Sequence, residues 1–416
     1  MSHEPEATCD DPSTWNHKDE KVDLPRLLAL IEAHGGPDGL DLHGCDMTGL
    51  DASYWALARY VDGWAGPERP PWVYGIWGVS LRGAHLEGAK LTSANLMGAD
   101  LLLAHLENAF FFSARLDEAG IVRAHARGIR IIHCSANRAV FNNSDLTDAE
   151  LVMTDFAEAQ FGGTTLQRAR LWQSNLEGVD LRLARLDGAM LYGAKLAKTR
   201  LRPWNLGLRV GEELIASGRQ VMNYRASYIE AADVYRDLKT NFAGLGYYDY
   251  ASWAHVKEKQ MEKMTYRGLW RRNWPLRWIS PVAYARASAR RRRRLRQWVR
   301  LWITGHATRT AVRRWLTSWL YEALAGYGER PMLPLVWGAG LAAVFFPMVY
   351  WIAGALQDNG LWNSVVFSLT TFGTLSFNRL QPVDTLGSVL AASEAFCGVL
   401  LFALFVFTLG NRMSRS

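Results

Sequence analysis

Few residues in this 416-residue chain are of a type and spacing that could do chemistry. A Gly-rich phosphate loop, a nucleophile motif and a metal-ligand spacing are all missing, so an enzyme is not expected. Cys9, Cys45, Cys134 and Cys397 lack the paired spacing of a disulfide framework or a zinc site. His85, His105 and His125 recur every twenty residues. Stacked on one face, they would form a ladder of a kind that can bind metal. Solvent-facing repeat positions accept most residue types, however, and neither metal nor cofactor is expected. Arg290, Arg291, Arg292, Arg293 and Arg294 could grip phosphates. The last candidate is "FSLTTFGTLSFNRLQP", 367–382, in which Arg379 is the only charge. The preceding "LWNSVVFSLTTF" is apolar enough to enter a membrane as a half-helix. Non-helical backbone after it is tolerated at that depth only where it lines a watery cavity. Its carbonyls would then face an axis, with the half-helix aiming its negative end at the cavity.

Two long apolar segments flank that loop. "MLPLVWGAGLAAVFFPMVYWIAGAL", 332–356, has no charge across 25 residues. At 1.5 Å per residue it reaches about 37 Å, enough to cross a hydrocarbon core of about 30 Å with some tilt. The second, 386–410, is as long and carries one carboxylate, Glu394. Basic residues crowd before the first span, and Arg412 and Arg415 follow the second. The positive-inside rule therefore puts both termini in the cytoplasm of a multi-pass cell-membrane protein, with the loop outside. Span, half-helix, extended turn, span is the plan of a pore module. One chain supplies only part of a ring, so an oligomer is implied.

Residues 320–412 resemble the two-span potassium-channel pore family. Thr370, Thr371, Thr374, Leu375, Ser376, Phe377, Asn378, Arg379 and Pro382 align with its T-T-x-T-x-G-Y-G-D…P pattern. The resemblance implies a homotetramer in which Thr374, Leu375, Ser376, Phe377 and Asn378 form the selectivity filter. It also implies that the second span lines the inner pore, with Gly398 where the family commonly bends its inner helix. Ser376 and Asn378 replace the family's two glycines, one of which takes a positive φ that burdens a residue bearing Cβ. Arg379 reverses the charge at the outer mouth. Potassium-preferring passage, weakly selective monovalent-cation passage, and a pore that passes anions or nothing all stay open. Glu394 either bonds to the pore helix behind the filter or tunes the ion queue, since a carboxylate in a spanning helix turns to a cavity or partner.

The N-terminal half has another logic. Every fifth residue from Leu81 to Leu206 is apolar, with Ala126 and Ala136 the small ones, and from Ala84 on a small residue sits two places before nearly every anchor. Ser, Thr and Cys share that slot with Ala, and Ile129 and Val179 are bulkier. A period of five fits neither helix nor strand. It fits a four-sided coil of twenty residues whose large and small residues point inward and stack. "ANLMGADLLLAHL" matches A-(D/N)-L-x-x, and the region resembles the pentapeptide-repeat family with its right-handed quadrilateral β-helix. Leu42, Met47 and Ala52 keep the period in another phase before a Trp/Pro-rich insertion, 53–75. "LPRLLALIEAHGG" is predicted to be a helix covering the open end. From 76 to 206 there are 13 Asp/Glu and 15 Lys/Arg. A mimic of nucleic-acid phosphates needs a dense negative surface, so the rod is expected to scaffold or dock an unknown cytoplasmic partner.

The expected organisation is a tail and capping helix (1–39), the repeats (40–206), a helical hairpin (207–266), basic Trp-rich surface helices (267–330) and the pore module (331–416, pore loop 361–382). The hairpin turns at Gly244 and Gly246 and carries an apolar stripe of Ala231, Val234, Tyr235, Leu238 and Phe242. It resembles the tetratricopeptide-like hairpin preceding the pore in some bacterial pore proteins. The net charge of +7 gathers in 257–330. Trp298 with Trp302, and Trp315 with Trp319, recur at i,i+4 beside that charge. One aromatic and one basic face suit an anionic bilayer, so lipid is expected there and nucleic acid is not. The expected function is a potassium-channel-like, cation-conducting channel with an atypical filter and a sensing or docking rod. The alternative is a membrane-tethered scaffold that does not conduct.

Overall fold

The computed structural model describes residues 21–35, 40–42, 44–50, 78–218, 227–273, 306–357, 360–373, 381–383 and 385–413. The chain forms two compact units, Met1–Ala254 and His255–Ser416.

In the first unit the five-residue period winds into a β-helix. Parallel bridges join each residue of a row to the one twenty positions on: Ser80↔Asp100, His85↔His105, Lys90↔Phe110, Asn95↔Arg115. The spacing of these rows gives a coil four bridge positions. Three short strands, β1 (Phe110–Phe112), β2 (Arg130–Ile132) and β3 (Glu150–Val152), extend one row. Anchors such as Leu101, Phe141 and Leu166 and small residues such as Ala104 and Ala169 are buried. Phe141 and Phe161, one coil apart, stack at 4.9 Å, and Phe156 meets both edge-on.

The hydroxyls of the small slot have a job that alanine cannot do. Ser144, Thr154, Thr164 and Thr199 donate to the carbonyls of Ile121, Ile131, Phe141 and Leu176, each in the neighbouring coil. Ser144 and Thr154 also accept the amides of Ala124 and Cys134. Cys134 holds the same slot, and burial pushes its thiol up to about 11.

The expected insertion, 53–75, lies outside the described residues, and the coil is present on both sides of it. Asp41 bridges Ser80 and Asp46 bridges His85, and Leu42 and Met47 are buried like later anchors. α1 (Leu24–His34) is capped by Asp23, which accepts from the Arg26 amide, and ends on Gly35 at φ 84°. Its Leu27 and Ile31 are buried, and Leu27 lines the same apolar interior as Leu42, Met47 and Leu50. At the other end, α2 (Gly211–Ala216) approaches the last coil so closely that a Cβ on Gly211 would lie 2.4 Å from the Gly188 carbonyl. Glu212 Oε1 accepts the amides of Leu191 and Tyr192 at 2.7 and 2.8 Å. Burial pushes Glu212 up to about 7 against those amide bonds. α3 (Tyr228–Gly244) starts on a Ser227/Glu230 capping box, and its Ala231, Val234, Tyr235, Leu238 and Phe242 are all buried. The Tyr235 hydroxyl donates to Glu213 at 2.5 Å.

α4 spans Tyr248–Asn273, and its residues from His255 onward belong to the second unit. There Gln260 and Lys263 bond Glu322 on α5 (His306–Ala325), and the Arg314 guanidinium lies over the Tyr266 ring. Trp315 is half-buried on α5 and Trp319 exposed; Trp298 and Trp302 lie outside the described residues. After a 3-10 turn at Gly326–Gly328 come α6 (Met332–Gly340), a π turn (Leu341–Phe345) and α7 (Phe346–Ala353), which together make one helix of span length. α8 (Leu361–Phe372) and α9 (Thr385–Met413) complete the unit. α6–α7 and α9 are long and apolar enough to cross a membrane.

Candidate functional site

The π turn has a cause in the sequence. Pro347 has no N–H to give the preceding turn. The Phe346 amide bonds back to the Leu341 carbonyl, five residues away, and not to Ala342. In that register the carbonyl of Ala342 would look to residue 347, which is proline. Ala342 is buried, so its carbonyl needs another donor. Ser368, on α8, supplies one: its hydroxyl lies 2.8 Å from the Ala342 oxygen.

That hydroxyl also bonds Glu394 Oε1 on α9, and Glu394 Oε2 accepts the Tyr350 hydroxyl of α7 at 2.8 Å. Ser368, Glu394 and Tyr350 are each fully buried. The Tyr350 ring meets Phe367 of α8 edge-on at 5.1 Å, within an apolar cluster that includes Phe346 and Leu356. One polar knot thus ties the short helix to both long ones. A buried polar group keeps its place only when its partners are satisfied.

The far end of α8 is seated by two glycines. A Cβ on Gly398 of α9 would stand 2.2 Å from the Phe372 carbonyl oxygen, and one on Gly338 of α6 would stand 3.3 Å from the Phe372 ring. Glycine is needed at 398 for this close approach, and α9 continues as helix through it. After residue 380 the chain pairs with the segment that follows α7. Leu356 bridges Pro382, and the Val383 amide donates to Ala355 at 3.0 Å.

Thr370 and Thr371 lie on the last turn of α8, where Thr370 Oγ1 is 3.0 and 2.9 Å from the carbonyls of Val366 and Phe367. Thr374, Leu375, Ser376, Phe377, Asn378 and Arg379 lie outside the described residues, as do Arg290, Arg291, Arg292, Arg293 and Arg294. Sequence reasoning missed Ser368, Tyr350 and Gly338. A proline inside an apolar span, with a serine on the intervening short helix, is the signal that points to the first.

Comparison with known proteins finds two families in separate stretches of the chain. Residues 78–119, 127–163 and 164–202 match the pentapeptide-repeat family in eight copies. Residues 337–415 match a family described as an ion channel. The chain therefore carries pentapeptide repeats and, at its C-terminus, an ion-channel domain; both families are of non-enzymatic kinds. With its two apolar helices, it is a membrane protein. Similar solved structures are pentapeptide repeat proteins. Trypsin-treated QnrB1, a plasmid-mediated fluoroquinolone resistance protein, is 18% identical, with 44% of this chain and 86% of that one covered and a TM-score of 0.29. HetL, involved in heterocyst differentiation regulation in the cyanobacterium Nostoc, is 18% identical, with 43% and 94% covered and a TM-score of 0.20. No curated protein matches the chain.

Proposed function

We propose that this protein is an oligomeric cation channel of the potassium-channel-like two-span type, four copies to a ring. The observation that carries the reading is the seating of α8. At twelve residues it is about 18 Å long, too short to cross a core of about 30 Å. It is nonetheless fastened between two span-length helices, by Ser368, Glu394 and Tyr350 at its middle and by Gly338 and Gly398 at its end. In this reading α8 is a pore helix and 361–382 a re-entrant loop. Thr374 to Asn378 form the filter, and α9 lines the inner path. Without glycine at 376 and 378, and with Arg379 at the mouth, the filter passes monovalent cations with weak preference, potassium among them. Ile352 and Phe396 are 72% and 68% exposed in the single chain, surface that lipid or a neighbouring copy would cover. Both termini lie in the cytoplasm, where the right-handed rod senses or docks a partner, and the basic Trp-rich segment rests on anionic lipid.

Planar-bilayer recording of the purified full-length protein tests this. Current that reverses with the cation gradient supports it. Silence under every ionic gradient refutes it and leaves the tethered scaffold. Restoring Gly at 376 and 378 with Asp at 379 should raise potassium over sodium preference, and an unchanged reversal potential would remove the filter from these residues.

A further inference from the structure

We propose that His85, Glu87 and His105 form a binding site on the repeat coil for a divalent transition-metal cation of the zinc class. The two imidazoles come from adjacent coils, joined by the His85↔His105 bridge, and their rings stack at 4.5 Å. Glu87 shares the His85 turn, and its Oε1 lies 3.0 Å from His85 Nδ1. One donor atom from each residue falls within 4.8 Å of the others. Two nitrogens and a carboxylate oxygen are a donor set that zinc takes, with water as a fourth ligand.

The main chain under these side chains is fixed. The His85 amide donates to Cys45 at 2.8 Å, the His105 amide to Ala84 at 2.9 Å, and the Leu86 amide to His105 at 2.7 Å. The side chains are not: those of His85 and Glu87 are 38% and 32% exposed. Zinc at about 2.1 Å from each ligand holds neighbouring donors about 3.4 Å apart, so side-chain rotation alone can gather the three. A second observation points to a cation. Glu107, two residues after His105 and one coil beyond Glu87, has its Oε2 shut off from solvent with no hydrogen-bond partner among the described residues. A carboxylate oxygen so placed is costly unless positive charge stands nearby. A metal at His105 supplies that charge. His125 stacks on His105 at 5.0 Å but is outside the three-residue set.

The test is calorimetric titration of untagged full-length protein in detergent with Zn²⁺ alone. One saturable site per chain is expected. His85→Ala, His105→Ala and Glu87→Gln should each weaken it at least about tenfold, while His125→Ala leaves it unchanged. In metal-free buffer the variants should keep the wild-type far-ultraviolet circular dichroism, and Zn²⁺ should raise the melting temperature of wild type but not of the His85→Ala/His105→Ala double variant. Wild-type protein loaded with Co²⁺ gives a readout independent of any variant: the visible bands of tetrahedral, imidazole-ligated cobalt are expected. Absence of saturable Zn²⁺ binding, wild-type affinity in the double variant, or a cobalt spectrum like that of the hydrated ion would each overturn the assignment. None of these results depends on whether the protein conducts.

Discussion

Replacing Gly398 with alanine asks whether the end of α8 is held by the main chain of α9. The new Cβ would meet the Phe372 carbonyl oxygen at 2.2 Å, its carbon at 3.2 Å and its ring at 3.4 Å. Carbon and oxygen must separate by roughly 1 Å to regain ordinary contact, and the oxygen is backbone, so no rotamer change relieves it. Overpacking of this kind costs about 1–3 kcal/mol, against about 1 kcal/mol that alanine recovers over glycine inside a helix. The loss should lie toward the upper end, because what must move is a helix terminus. Gly410→Ala, on the same helix with nothing within 4 Å, and Gly340→Ala, equally open, isolate the clash from the change in helix propensity. The assays are melting of the full-length protein in detergent and cation flux into proteoliposomes. Gly398→Ala should melt below wild type and lose most of its flux, whereas the two controls melt at or above wild type. A Gly398→Ala protein as stable as Gly410→Ala, changed only in opening and closing, would refute close packing and restore the view of Gly398 as a bend.

Other expectations follow from the buried polar groups. One hydroxyl proton of Ser368 cannot serve both the Ala342 carbonyl and Glu394. Glu394→Gln, with an amide donor facing Ser368 and an oxygen facing Tyr350, should therefore stay close to wild type in melting temperature and flux. Glu394→Ala, which strands Tyr350 and Ser368, should lose about 2–5 kcal/mol; equal melting of the two variants would dissolve the knot. Glu212 holds its proton up to about 7 because burial disfavours the charge. The native state binds that proton more tightly than the unfolded chain does. Its stabilisation is full below the ordinary carboxyl value and is lost as pH rises through 7, by about 3 kcal/mol in all. Glu212→Gln, which keeps the acceptor for Leu191 and Tyr192, should flatten that dependence in melting curves from pH 4 to 8, and an unflattened slope assigns it elsewhere. Thr154→Val keeps shape but leaves the Cys134 amide and the Ile131 carbonyl without this hydroxyl. It should destabilise the repeat unit by about 1–3 kcal/mol in chemical denaturation, and a loss below a few tenths would make the slot a matter of size alone.

Periodicity made much of this architecture legible beforehand, because both the coil and the spans are repeats of one simple rule. Leu81 to Leu206 fall in one phase, and their burial follows from stacking a twenty-residue coil. The apolar runs that become α6–α7 and α9 needed only a count of residues against a bilayer's thickness. The site was less legible because it is made of pairings between elements. Pro347 could be seen to weaken a helix, but not that the Ala342 carbonyl it leaves unanswered would be met by Ser368. Gly398 could be placed by resemblance, yet its reason, the Phe372 oxygen, comes from a contact 26 residues away. Ser, Thr and Cys in the small slot read as substitutes for alanine until their bonds to the neighbouring coil are counted. Glu87 beside His85 was likewise invisible to a search along the twenty-residue row.

The central claim is that several copies of the segment between the spans enclose a wet axis. Single-particle imaging of the full-length protein in lipid nanodiscs tests it most directly. A fourfold ring with 361–382 turned toward a central water-filled passage is predicted. Isolated copies, or rings with that segment splayed toward lipid, would contradict it.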